Sequence, residues 1–69
     1  MNEGKITYLS TKGFGFIKSE GRTKDLFFHA KELIDIEFFN LAVGDNVTFE
    51  NTEVSEKGII AKGVRVINN

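Results

Sequence analysis

The chain of 69 residues has no cysteine, no proline, one histidine and no strong excess of either charge. Without thiols there is neither a disulfide framework nor a thiolate metal site, and the expected compartment is the cytoplasm. One histidine does not make a zinc site alone, so no metal and no cofactor is expected. The longest apolar stretches are only a few residues, far short of the roughly 20 that cross a bilayer, and the N-terminus lacks the charged-then-apolar pattern of a signal peptide. No membrane association is expected. The net charge of −1 argues against a protein that grips polyanions mainly by neutralising phosphates. This length allows one small domain, residues 1–69, near the lower limit for a disulfide-free core and without room for a cleft between domains. An enzyme is not expected.

What is present is phenylalanine at a telling spacing. In Lys12-Gly13-Phe14-Gly15-Phe16-Ile17, strand alternation places Phe14 and Phe16 on one face and Ile17 on the other. In Leu26-Phe27-Phe28-His29, Phe27 and His29 share one face, Leu26 and Phe28 the other. If Ile17, Leu26 and Phe28 turn inward, Phe14, Phe16, Phe27 and His29 form an exposed aromatic platform. Bare rings stack on flat partners, and nucleobases are flat. Residues 1–31 carry six basic side chains against three acidic, whereas the rest carries three basic against seven acidic. The rings therefore lie in the positive half, and Lys12, beside the platform, is the expected phosphate contact. His29 has no serine, cysteine or carboxylate arrangement around it that points to catalysis.

Glycines scattered through a chain without proline suit several short strands. Strands are expected over residues 4–9, 13–19 and 25–29, joined by tight polar turns into an antiparallel meander. Residues 30–33 read as a single helical turn and the stretch to Gly44 as a long loop containing Phe38 and Phe39. A fourth strand is expected around Val47 and Phe49, a turn over 53–57, and a fifth strand over 59–67. Five short antiparallel strands point to a small barrel, since an open sheet of this size leaves its edges unprotected. Tyr8 has the parity of Ile6, so a regular first strand turns it inward, and its exposure requires a bulge.

With these segments in place the chain resembles the cold-shock domain family from about Gly4 to Val66. Residues 12–17 are similar to the family's first ribonucleoprotein motif, 26–29 to its second, and 41–49 to its entry into strand four. The resemblance implies an all-β, five-stranded antiparallel OB-fold barrel, acting as a monomer or weak dimer. It also implies binding of single-stranded RNA or DNA, pyrimidine-rich by expectation, in the role of RNA chaperone or gene-expression regulator. Carried over by position, the implied contacts are Tyr8, where most members have tryptophan, with Lys12, Phe14, Phe16, Phe27 and His29. Phe38 would reach in from the loop, and Asp25 would lie near the base edges. An RRM is excluded because its two motifs run in the opposite order and it needs two helices. A protein-interaction module using the same aromatic face is the remaining alternative.

The chain also departs from the family pattern. Ala30 stands in place of a stacking phenylalanine, Leu9 in place of a common aromatic, Thr7 in place of a lysine, and Ile59-Ile60 in place of Pro-Gln. Each lost ring removes about 1–3 kcal/mol of stacking. Weaker binding of oligo-dT than by a member carrying the full ring set is expected by equilibrium titration; equal or tighter binding refutes it.

Overall fold

The computed structural model describes residues 2–56 and 58–67. Its strands are β1 (Asn2–Ser10), β2 (Phe14–Lys18), β3 (Leu26–His29), β4 (Asn46–Phe49), β5 (Asn51–Ser55), β6 (Gly58–Lys62) and β7 (Arg65–Val66). Two single-turn 3-10 helices, Ala30–Glu32 and Phe38–Asn40, lie in the long connection between β3 and β4. The first three strands form the expected antiparallel meander.

The hydrogen-bonded order is β5-β6-β3-β2-β1-β4-β7. One residue, Glu50, separates β4 from β5, and two, Gly63 and Val64, separate β6 from β7. Each pair is thus one length of chain bent partway. The bent length 46–55 pairs with β1 through β4 and with the length 58–66 through both β4–β7 and β5–β6. The latter returns to β3 through β6. The pairings therefore close a circuit of five chain segments, an all-β barrel of OB type with no free edge along most of its rim.

Three strand-level expectations need correction. Residues 51–55, partly read as a turn, form β5; Lys57, the last residue of that expected turn, lies outside the described residues. The expected fifth strand is broken at Gly63, whose φ of 65° is left-handed and carries the chain around a corner that a side chain resists. The barrel is also not purely antiparallel: β3 and β6 run parallel, with Phe27 beside Ile60.

Alternation decides the inside. Ile6, Ile17, Leu26, Phe28, Val47, Phe49, Ala61 and Val64 are buried, with Leu41 at the margin. The long connection closes one end of the barrel. Its first helical turn is fastened to the β6–β7 corner, where Val64 N–H donates to the Glu32 carbonyl at 2.8 Å and Ile34 N–H to the Val64 carbonyl at 2.9 Å. Leu33, Ile36 and Phe38 pack against the core from this cover.

Gly15 sits where β2 crosses the buried Phe28 ring. A Cβ there would lie 2.5 Å from the Tyr8 carbonyl oxygen and 2.7 Å from Phe28 Cε1. Gly15→Ala is therefore overpacking, expected to cost about 1–3 kcal/mol in urea unfolding monitored by circular dichroism. A neutral result would show that the β2 backbone moves freely away from Phe28.

Candidate nucleic-acid interface

The outer face is built by the same register. Tyr8 lies opposite Phe16, Phe16 opposite Phe27, and Phe27 beside Ile60, a single row across β1, β2, β3 and β6. The neighbouring row carries Phe14 opposite His29. Phe14, Phe16 and Phe27 are half-buried and His29 is exposed. The Phe14 and Phe27 rings are nearly parallel, with centroids 5.4 Å apart and planes at 25°. Phe16 meets Phe27 edge-on at 5.9 Å and Phe14 edge-on at 6.2 Å. Quadrupole-favoured edge and offset contacts hold the rings upright as one patch.

Tyr8 joins the patch because β1 bulges. Ile6 pairs with Ile17 and Tyr8 with Phe16, so Thr7 is an extra residue in β1. The insertion reverses the parity after Ile6: Ile6 is 1% exposed and Tyr8 50%. The Tyr8 ring then lies 5.9 Å from Phe16 and 6.3 Å from Phe14. The bulged Thr7 is used as well. Its hydroxyl donates to Asp25 Oδ2 at 2.7 Å, fixing an exposed carboxylate at the rim of the ring patch.

His29 is anchored by its own strand end, since its Nδ1 accepts the Lys31 N–H at 3.1 Å. That bond makes Nδ1 the acceptor and leaves Nε2 as the proton-bearing nitrogen of the neutral ring. Lys12 is exposed in the turn 11–13, whose backbone is held by its N–H to Ser10 Oγ at 3.1 Å. Phe38 is placed differently from the other rings. It is half-buried over the core ring of Phe28, centroids 6.3 Å apart, and none of its ring contacts among the described residues is with the platform. It lines a separate shallow groove with Leu9, Ser10, Thr11, Phe39 and Leu41, in which Phe39 is 78% exposed.

The structure thus gathers Tyr8, Phe14, Phe16 and Phe27, with His29 in the next row, Lys12 in the adjoining turn and Asp25 at the rim, while Phe38 stands apart. Sequence reasoning missed two members of the surface. Ile60 extends the central row, but only through a parallel pairing between distant segments that carries no local signal. Thr7, noted only as a missing lysine, turns out to be both the bulge and the Asp25 partner.

Charge is partitioned over the surface. Among the described residues the ion pairs engage Lys62, with Glu32 at 3.1 Å and Glu53 at 3.4 Å, and Arg65, with Asp35 at 3.0 Å. The hydrogen bonds that the Lys62 ammonium donates, to Glu32 first and to Glu53 second, hold it above its ordinary pKa. Lys5, Lys12, Lys18, Arg22, Lys24 and Lys31 are exposed and enter none of these pairs. Among the described residues the cations of the platform half are therefore open to solvent anions, and Lys62 and Arg65 of the other half are already matched. Among the described residues no helix is long and apolar enough to cross a membrane, and no group of three or more potential ligands is assembled for a metal.

Because the platform rings rest on one another rather than in the core, Phe14→Ala and Phe16→Ala are each expected to cost about 1 kcal/mol of stability. Phe28→Ala, which empties the core, should cost about 3–5 kcal/mol. Thermal unfolding of the three variants checks the order; equal losses would mean that the platform is structural.

Comparison with known proteins agrees with this geometry. The family model described as the 'Cold-shock' DNA-binding domain matches residues 2–67. The chain is 46% identical over 52 residues to the cold shock-like protein CspE of Buchnera aphidicola, covering 74% of this chain and 75% of that one. It is 42% identical over 48 residues to the cold shock-like protein CspA of Vibrio cholerae, covering 70% and 67%. It is 34% identical over 59 residues to the cold shock protein CspA of Rhizobium meliloti, covering 84% and 86%. Among solved structures, Drosophila Unr CSD456 superposes with a TM-score of 0.78 at 28% identity over 97% of this chain, which spans only 26% of that longer one. A sheet that buries Ile17 and Phe28 while keeping Phe14, Phe16 and Phe27 at its surface, with the family model matching residues 2–67, makes this chain a member of the cold-shock domain family.

Proposed function

We propose that the protein binds single-stranded RNA or DNA by stacking unpaired bases on Tyr8, Phe14, Phe16, Phe27 and His29, with Lys12 meeting the phosphates and Asp25 the base edges. The observation that carries this reading is the contiguous patch of four rings across β1–β3, bordered by cations that enter none of the ion pairs among the described residues. Stacking is tolerant of sequence because every base has a π face, so preference is mild and toward pyrimidine runs. Phe38 and Phe39 contribute only to a strand long enough to leave the patch and enter the groove beside Leu9.

A platform that captures unstacked bases competes with base pairing, because bases inside a duplex are already stacked. This supports a role as an RNA chaperone or expression regulator in the cytoplasm, acting without ATP and without catalysis. The exposed apolar face also keeps a protein-docking role as the second reading, but the open lysines around it favour a polyanion over a neutral protein surface.

Tyr8 is the only tyrosine and there is no tryptophan, so intrinsic emission reports directly on the patch. Titration with oligo-dT, oligo-U and the matching duplex is expected to quench it with the single strands alone. Phe16→Ala and Phe27→Ala should each weaken single-strand affinity by about 1–3 kcal/mol. Tight duplex binding, or no response to any strand, would refute the reading. The slope of log affinity against log salt should be shallow, near that of one to a few phosphate contacts at about 0.7 each.

A further inference from the structure

The central row of the platform does not end on a ring. From Phe27 it passes to Ile60 and then to Glu53, which lies opposite Ile60 across the β5–β6 pair. Lys62 follows Ile60 by two residues and so points to the same face, stepping along β6 as His29 steps along β3 from Phe27. It is a cation at the platform's margin. Its Nζ, however, is held between Glu32 Oε2 and Glu53 Oε2. One carboxylate comes from the helical turn that follows β3, the other from β5, so two different segments converge on it.

We propose that Lys62 is a phosphate-binding residue withheld by Glu32 and Glu53, and that this clasp marks the β6 border of the nucleic-acid track. Two carboxylates around one ammonium leave that border with a net negative charge, so a strand crossing Phe27 meets repulsion where it would otherwise find a fourth segment to lie on. Across the patch, Lys5 and Lys18 face each other on β1 and β2 and enter no ion pair among the described residues. The backbone of the strand is accordingly drawn toward the β1–β2 side and turned back at β6. The raised proton affinity of Lys62 accords with a cation whose charge is satisfied internally. Side-chain accessibility of 33% for Lys62 and 62% for Glu53 leaves the clasp open enough for a phosphate to replace a carboxylate once the acids are gone. The inference rests on the single-strand reading above and assigns the limit of its footprint to residues outside the ring patch.

The test is a double-mutant cycle in oligo-dT binding, read as affinity and as salt slope, with folding of each variant checked by thermal unfolding. The Glu32→Gln/Glu53→Gln variant is expected to bind about two- to fivefold tighter at low salt and to steepen the slope by about 0.7, one added phosphate contact. Lys62→Gln alone should leave the slope at its original value, because Lys62 makes no phosphate contact while clasped. Combining Lys62→Gln with the two glutamate changes should remove the steepening. If the steepening persists without Lys62, or if Lys62→Gln alone makes the slope shallower, the clasp is not what withholds the residue and the proposal fails. Failure of the unsubstituted protein to bind any single strand would instead bring down the functional reading, and this inference with it.

Discussion

The contact between Gly15 and the Phe28 ring is the constraint on which the rest of the surface depends. A ring fully buried beneath a strand needs that strand's inward position to be empty, and the missing Cβ of Gly15 supplies the space. With Gly15 inward, its neighbours Phe14 and Phe16 are forced outward by alternation alone. Phe27 follows, since Phe28 and Phe27 are adjacent on β3 and one must take each face. Packing of the core and exposure of the platform are therefore one decision, made at two short strands. A change that relaxed the first would disorder the second.

That coupling explains what could be read from the sequence. Parity within β2 and β3 is local and strong, because an aliphatic or aromatic residue stands at every inward position except the one held by glycine. The need for a bulge before Tyr8 was legible for the same reason, as a conflict between Ile6 and Tyr8 that a regular strand leaves unresolved. Legibility ended where burial stopped supplying a pattern. In β5 the residues are Asn51, Thr52, Glu53, Val54 and Ser55, and Val54 is 82% exposed, so the strand exists through pairing with β6 and not through an apolar face. The bend at Gly63 and the parallel approach of β6 to β3 are fixed by closure of the barrel. Contacts between residues so far apart in the chain leave no periodicity behind.

Phe38 shows how position in a motif and position in space separate. Placed by resemblance among the contacting rings, it rests on Phe28 and closes the barrel end, while its neighbour Phe39 is the exposed member of the pair. The substitution at Ala30 matters here. The Ala30 methyl group, beside Gly13, adds no ring to either surface, and the four-ring patch and the groove stay separate. On the proposed reading a strand that used both would span a gap without stacking, and the conformational cost of ordering that span would offset part of what the second surface returns.

The same economy reconciles an acidic sequence with a polyanionic ligand. Affinity drawn from ring faces needs few phosphate contacts, so the total charge is free to be slightly negative as long as the local distribution is correct. It is made so by internal pairing: Arg65 and Lys62 are tied to carboxylates in the second half, while the lysines bordering β1 and β2 enter no ion pair among the described residues. Along the central row the surface changes from aromatic at Tyr8, Phe16 and Phe27 to aliphatic at Ile60 and acidic at Glu53. On the proposed reading a base would gain stacking on the first three and only apolar contact on the fourth, and its phosphate would meet a like charge at the fifth. The row would then run in a direction of decreasing affinity, and the sheet that folds the protein would also set where a bound strand stops.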